Sequence, residues 1–426
     1  MSLLRRLFGV FIYCLCIGVI IFIFSFFGHE LHETSPEAET VSLSSPKLSE
    51  TSPEDVGLSS SSLLNIDAAV EESIREGELP GAVVMVCRHG KTAFLKAFGN
   101  RALKPVREPM TTDTIFDIAS MTKVVATTPA IMQLVDKGVL RLGDPVKRYL
   151  PKFTGGGKDD VTVSQLLTHY SGLRPGFGEG KEWVGYETTL NEIWKEKITG
   201  KPGRSFAYSD LNFIVLAEIV RVLSGKGIDV YAREHIFEPL GMTETAFRPP
   251  ADQMARIAPT EMRLGPPQLP KGAKPEYKML RGEVHDLTVW RMGGVSGQAG
   301  LFSSAGDLAI YAQTLLNHGV YGGVRLLSEA AVTVMTSPQS PLRAEDVRGY
   351  GWDINSEYSS PLGDLFSGGY GHTGFTGTSI WIHPPSDSFI IILSNRVHPY
   401  GGKNINHLRG VIANIVAASI VNPDIP

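Results

Sequence analysis

Four changes in hydrophobic patterning divide the chain. Residues 7–27, LFGVFIYCLCIGVIIFIFSFF, form one uncharged apolar run, which matches the roughly 20 residues a helix needs to cross a bilayer. Residues 29–57, HELHETSPEAETVSLSSPKLSETSPEDVG, are rich in Ser, Pro, Glu and Thr and poor in aromatics. Such a stretch buries too little apolar surface to offset its ordering entropy, which predicts a flexible tether. From residue 58 the pattern becomes that of a folded chain. SSSLLNIDAAVEESIREG carries apolar residues at helical spacing behind serines. GAVVMVCRHGKTAFLKAFG reads as two strands turning at His89–Gly90. Residues 120 to about 290 are mainly helical patterns broken by Pro and Gly, such as TVSQLLTHYSGL and NFIVLAEIVRVLSG. Strand patterning returns in GYGWDI, TGTSIWIHPP and SFIIILSNR, and a helical stretch, NINHLRGVIANIVAASIV, closes the chain.

Strands at both ends with helices between them predict an α+β fold. One antiparallel sheet is assembled from both ends of the chain, terminal helices pack on it, and a mostly helical lobe is inserted between the strand groups. A cleft between the lobes is the default place for a site. The expected organisation is an N-terminus at 1–6, a transmembrane signal-anchor helix at 7–27, a disordered linker at 28–57 and a folded domain at 58–422. Arg5 and Arg6 precede the apolar run and acidic residues follow it. The positive-inside rule then leaves the N-terminus in the cytoplasm and the folded domain periplasmic or extracellular. A long-cored signal peptide is the alternative reading.

Composition narrows the function classes. Of 426 residues, 42% are apolar and 20% charged, and the net charge is -4 with no dense Lys/Arg block in the folded part. That argues against a nucleic-acid partner. The three cysteines build neither a disulfide framework nor a zinc pattern. Cys14 and Cys16 fall in the apolar run, and Cys87, in VVMVC, reads as packing. His29 and His32 have no third ligand nearby in sequence and read as solvated.

The candidate chemistry starts in DIASMTKVVAT. Ser120 and Lys123 are three apart, hence on one helix face. Ser120 is expected in the first turn, near the positive end of the helix dipole. A serine is a poor nucleophile unless a base is close, and a lysine serves only if burial or neighbouring positive charge depresses its pKa. Pro129 in the same helical pattern implies a kink or local break. In FAYSDLNF, Tyr208 lies just before a helical run that Ser209 or Asp210 caps; a phenol there can relay a proton. In GYGHTGFTGTSIWI, His372-Thr373-Gly374 is expected to open an alternating strand whose backbone contributes to an oxyanion hole. Gly369, Gly371 and Gly374 spell G-x-G-x-x-G, but a strand rather than a helix follows, which excludes the nucleotide reading. RGEVHDLTVWRMGG clusters Glu283, His285 and Asp286 ahead of the Gly-rich GGVSGQAG. It reads either as a cleft-bordering segment or as a helix cap at Asp286 with solvated neighbours.

Ser-x-x-Lys, then Tyr, then His-Thr-Gly, in this order, resembles the serine β-lactamase and penicillin-binding protein superfamily. The closest likeness is to its class-C-like branch of D-alanyl-D-alanine carboxypeptidase-like proteins, esterases and β-lactamase-related hydrolases. TIFDIASMTK, AIMQLVDKGVLRLGDPVKRYLP, LLTHYSGL, FEPLGMTET and GGVSGQAGLFSSAGDLA extend the likeness from about residue 60 to 420. The resemblance implies Ser120 as acylated nucleophile, with Lys123 and Tyr208 sharing acid–base duty. It implies His372 in a place often held by lysine, and Thr373 and Gly374 beside the substrate. The backbones of Ser120 and Phe375 would form the oxyanion hole. Two departures stand out: Asp210 where the family motif has Asn, and His372 where it has Lys. Asp210 either pairs with Lys123, keeping it protonated and repelling an anionic substrate, or caps the helix. Both departures weaken a β-lactamase reading. The expectation is therefore a membrane-anchored serine hydrolase needing no cofactor or metal, acting through an acyl-enzyme on a small molecule or a wall peptide ending in D-alanine. A small-ester esterase and a non-catalytic wall-fragment or β-lactam binder are the alternatives.

Overall fold

The computed structural model describes residues 47–178, 183–264 and 277–421. The apolar run at 7–27 and the tether up to residue 46 lie outside the described residues. Among the described residues no helix is long and apolar enough to cross a membrane.

The chain starts its sheet with the hairpin β1 (Gly81–Arg88) and β2 (Lys91–Ala102), followed by the short β3 (Glu108–Pro109). β4 (Ile115–Asp117), β5 (Ala246–Phe247) and β6 (Leu301–Ser304) form a separate three-stranded sheet, with β6 central. The late strands are β7 (Val347–Arg348), β8 (Asp353–Asn355), β9 (Tyr370–Gly374), β10 (Thr378–His383) and β11 (Ser388–Ser394). Together they make an eight-stranded antiparallel sheet in the order β7-β8-β9-β10-β11-β1-β2-β3. The first and last strand groups join where β11 pairs with β1, from Ala82↔Ser394 to Arg88↔Ser388. The sheet is thus assembled from both ends of the chain, as the patterning predicts.

Side chains alternate between the two faces of a strand, and here both faces are covered. Ala82, Val84, Val86, Ile390 and Ile392 face the terminal helices α1 (Asn65–Arg75) and α7 (Asn406–Ser419), where Ile66, Val70, Leu408, Ile412 and Val416 meet them. Val83, Met85, Cys87, Ile391 and Leu393 face the inserted lobe, against Leu308, Tyr311 and Leu315 of α6 (Ala305–Leu316). That is why β1 reads as an unbroken apolar run. Burial pushes the Cys87 thiol up to about 12, consistent with a packing residue.

Three local expectations need correction. Residues 47–57 belong to the domain, not to the tether. Thr51 N–H donates to Thr92 O and Thr92 N–H to Ser49 O, at 3.0 and 2.9 Å. Leu48 and Val56 are buried, and the Arg88 guanidinium donates to the Val56 and Gly57 carbonyls. A few apolar anchors and one buried cation outweigh a polar average composition. Second, His372-Thr373-Gly374 ends β9 instead of opening the alternating strand; a turn intervenes and β10 follows it. Every residue of β10 is buried, because both faces of the sheet are packed. Third, the helix in TVSQLLTHYSGL is only α3 (Val163–Leu167). Thr162 and Gln165 form a capping box at its start, and His169 takes a left-handed φ of 62° just beyond its end.

Ile391 lies at the centre of the sheet, fully buried against the lobe. Ile391→Ala is expected to destabilise the domain by about 2–5 kcal/mol, read as a lower urea midpoint at unchanged m-value.

Candidate active site

The serine sits at a strained corner rather than in a regular first turn. β4 ends at Asp117, and Ala119–Met121 forms a single 3-10 turn in which Ala119 has a φ of 47°. A non-glycine residue in that region costs about 1–3 kcal/mol and persists only when its surroundings hold it. Asp117, fully buried, accepts the Ala119 N–H at 2.9 Å and the His285 N–H at 2.7 Å. Burial holds its carboxyl above the usual range, although both bonds oppose this. Thr122 Oγ donates to Ala119 O and accepts the Leu301 N–H. From the other side Thr376 donates to Asp117 O and Thr378 to Ile118 O. Gly374 makes this clasp possible: a Cβ there would lie 2.5 Å from Ile118 O and 2.1 Å from Thr378 Oγ.

After the corner, Lys123–Thr127 winds as a π-helical stretch before α2 (Thr128–Asp136). Pro129 supplies no N–H to the usual ladder, so the break expected there is present. The winding aims Lys123 inward, where it has no solvent exposure. Its Nζ donates to Ser120 Oγ at 3.1 Å, Asp210 Oδ1 at 2.8 Å and the Gln298 carbonyl at 2.9 Å. Three acceptors saturate an ammonium. Burial pulls the amine down, but the Asp210 charge and the Tyr208 hydroxyl outweigh it, leaving Lys123 above the ordinary lysine range. The depressed lysine needed for a base is therefore not what the fold builds. Asp210 is the first residue of α4 (Asp210–Ser224), one past the N-cap position at Ser209, and its carboxylate pairs with Lys123. Of its two sequence readings, the ion pair is the one realised.

Tyr208 lies beside this pair, with Lys123 Nζ 4.9 Å from its ring centroid. His372, on β9, has its ring 6.1 Å from that of Tyr208. Its Nδ1 donates to the Thr373 carbonyl at 2.8 Å, which leaves Nε2 as a bare acceptor; that nitrogen is buried without a partner among the described residues. Burial, with the Arg348 and Lys123 charges, holds the imidazole well below the usual histidine range. His372 is neutral where a lysine would be a cation.

Ser120, Tyr208, His372, Thr373, Gly374 and Phe375 line one cavity of ≈ 320 Å³. The expected residues therefore converge, apart from Lys123 and Asp210, which support them from behind. The cavity also contains side chains that motif reading missed: Arg348, Arg396 and Arg409, with Asp353, Tyr358 and Asn406. Arg348 pairs with Asp353 at 3.5 Å. Among the described residues Arg396 and Arg409 bond only neutral acceptors: Lys403 O for the first, and Asn406 Oδ1, Thr378 O and Gly374 O for the second. Burial and the neighbouring Arg396 charge bring Arg409 down to about 9, and its Nε has no partner among the described residues. The missed signal was one buried charge, Arg409, in the terminal helix, with Asn406 three residues before it as a hydrogen-bond partner.

Glu283, His285 and Asp286 lie outside the cavity lining and have separate partners. Glu283 pairs with Lys278 on the surface. His285 Nε2 meets Glu261 at 2.7 Å, and its ring stacks on Phe375, centroids 5.7 Å apart. Asp286 caps α5 (Leu287–Arg291) and accepts from Gln298 Nε2. Burial first, then the Asp210 charge, holds its carboxyl above the usual range. The segment thus borders the cleft only through Phe375, and acts behind it by holding Gln298. Gly297 lets the Gln298 carbonyl reach Lys123, since a Cβ there would lie 2.2 Å from Phe213 O.

A sheet flanked by terminal helices, a helical lobe and a serine–lysine pair at their junction define a β-lactamase-type fold. Residues 66–413 match the beta-lactamase family model, and the chain belongs to that family. An Escherichia coli (strain K12) protein named "Putative D-alanyl-D-alanine carboxypeptidase" is 33% identical over 383 residues, 83% of this chain and 86% of that protein. A penicillin-binding protein homologue from Caulobacter crescentus superposes with a TM-score of 0.66 at 22% identity, covering 85% of this chain and 99% of that one. EstCE1, described as a hydrolase with promiscuous acyltransferase activity, superposes at 0.64 with 22% identity and the same coverage. The two structural likenesses establish the fold alone.

The depressed His372 has a stability consequence. Below its ordinary value of 6.5 the unfolded chain binds a proton that the folded chain refuses, so stability present above that pH is lost as pH falls. Each such histidine costs up to about 1.4 kcal/mol per pH unit. His372→Asn is expected to lose less stability than the wild type between pH 7 and pH 5 in paired denaturant titrations. Equal losses would contradict the assignment of a buried neutral ring.

Proposed function

We propose that this protein is a serine hydrolase acting through a covalent acyl-enzyme, with peptides ending in a free D-alanyl carboxylate as its substrates. The observation carrying this reading is the cavity in which Ser120 opens beside Arg396 and Arg409, two cations without a carboxylate partner among the described residues. The neutral His372 and the Asp210 charge argue against anionic substrates only when read alone. Asp210 is neutralised by Lys123, and the arginines supply the positive charge that the third motif lacks. The family membership and the name carried by the Escherichia coli relative agree with this substrate class.

In the proposed cycle Ser120 Oγ attacks the carbonyl carbon, and the backbone N–H groups of Ser120 and Phe375 receive the oxyanion. Lys123, held as an ammonium, stabilises negative charge at Ser120 Oγ and the Tyr208 oxygen. Tyr208, entering the step as the phenolate paired with the Lys123 ammonium, then takes the serine proton to become the phenol and returns it to the leaving amine, expelling D-alanine. Water attacks the acyl-enzyme, its proton passing by the same route, and Ser120 is restored. Thr373 holds the substrate beside β9. We further propose that the run at 7–27 anchors the chain with its domain facing the periplasm or exterior, where such peptides occur; its length and lack of charge support this. A small-ester hydrolase is the second reading, favoured by the neutral His372.

Intact-mass analysis after exposure to a fluorophosphonate and to a β-lactam is expected to show one adduct each, both absent in Ser120→Ala. An unlabelled wild type that still binds wall peptides would leave only the binder reading. Arg396→Ala is expected to raise KM for a D-Ala-D-Ala peptide about 10- to 100-fold, the scale of one charge-assisted bond. A neutral aryl ester should be nearly unaffected. Equal effects on both substrates, with the ester turned over faster, would favour the esterase.

A further inference from the structure

His169, from the LLTHYSGL stretch, has no part in the scheme above, yet three of its contacts converge on one neighbour. Its carbonyl accepts the Ala207 N–H at 3.0 Å. Its Nδ1 accepts the Ser209 N–H at 2.9 Å. Its ring lies along the Tyr208 ring, with centroids 4.4 Å apart and planes at 27°. The residues on both sides of Tyr208 are therefore bonded to His169 while the phenol rests on its imidazole.

Only a neutral histidine meets all these demands. With Nδ1 accepting, the ring proton sits on Nε2, which is buried without a partner among the described residues. A protonated ring would have no lone pair for Ser209. Lys123, Arg348 and the neutral His372 all face this ring; burial first, then the Arg348 and Lys123 charges, hold it well below the usual histidine range. Asn212 lies on the same side, its Nδ2 3.4 Å from Nδ1 and its Oδ1 accepting from Ser171 Oγ. Phe213 packs against the imidazole at 5.2 Å. Tyr358, 5.1 Å from the Tyr208 ring, and Lys123 bound the phenol from elsewhere in the cleft. The left-handed backbone of His169 (φ 62°) is what turns its carbonyl and its ring toward the same segment.

We propose that His169 is a positioning residue for the reaction: it fixes the Tyr208 phenol against Ser120 and Lys123 by holding both flanking backbone amides and stacking on the ring. The inference rests on the reading of Ser120 as nucleophile. It predicts that the two functions of the side chain separate. His169→Phe keeps a ring over Tyr208 but leaves the Ser209 N–H unpaired; His169→Asn keeps an acceptor but removes the stack.

The test compares wild type, H169F and H169N by the rate of fluorophosphonate labelling at Ser120, and by kcat and KM on an aryl ester across the pH range, with thermal unfolding recorded for each. Both variants should label about tenfold more slowly or worse, the scale expected when a reacting group is displaced by a fraction of an ångström. KM should stay within about twofold, and the pH limb of kcat should move. Labelling at the wild-type rate overturns the inference. So does a rise in KM alone, or a loss of kcat that follows the folded fraction with the pH limb unmoved. A wild type that does not label at all overturns the nucleophile reading instead, and this inference with it. Nitrogen-15 imidazole NMR of the wild type keeps the proposal falsifiable if the variants do not fold. His169 should remain the Nε2–H tautomer from about pH 5 to pH 9, and an Nδ1–H or protonated ring overturns the clamp.

Discussion

A lysine ammonium with no solvent exposure is the constraint around which this site is organised. Placing a charge in the interior costs several kcal/mol unless partners surround it. Lys123 is tolerated because three acceptors converge on its three protons: Ser120 Oγ three residues back, Asp210 at the entrance to α4, and the Gln298 carbonyl from the glycine-rich loop. Each comes from a different part of the chain, so the ion cannot be satisfied unless all of them are in place. The same geometry that solvates the charge also sets the serine oxygen next to it. Satisfying the buried charge and placing the serine hydroxyl are therefore one arrangement.

The rest of the cleft follows from how tightly β9 approaches that corner. Gly374 brings the strand against Ile118 O, and Thr376 and Thr378 tie the two together through side-chain bonds. Arg409 then spans the β9–β10 turn through the Gly374 and Thr378 carbonyls. One guanidinium thus braces the edge of the site and leaves a buried Nε without a partner among the described residues. Neutral His372 and cationic Arg396 and Arg409 share the cavity. Positive charge has been moved from the third motif to the end of β11 and the start of α7.

Much of the architecture was legible from periodicity. β1 and the last strands are apolar on both faces, α1 and α7 are amphipathic, and the lobe between is helical. Reading failed where local signals were outvoted. The segment at 47–57 looks like linker by composition, but Leu48 and Val56 find apolar pockets and Arg88 collects its carbonyls. TGTSIWI alternates in polarity, yet Thr378 and Ser379 are as buried as their neighbours. Of the two readings open for His285, the solvated one fails, because its ring is stacked on Phe375.

What the order of residues determined by itself is the set of candidate reactive groups. Ser120 and Lys123 are three apart, a spacing that one helical turn can bring together, although here a strained corner clasped by its neighbours does so. Tyr208 and His372-Thr373-Gly374 identify the family that such a pair belongs to. Only tertiary structure decided the charge states and the company these groups keep. Lys123 stays an ammonium because Asp210 lies 2.8 Å away across 87 residues of chain. His372 stays neutral because burial and the charges of Arg348 and Lys123 act on it together. Arg396 and Arg409 reach the cavity from beyond the last strand. Electrostatic energies depend on distance and burial, and neither is written in spacing along a sequence.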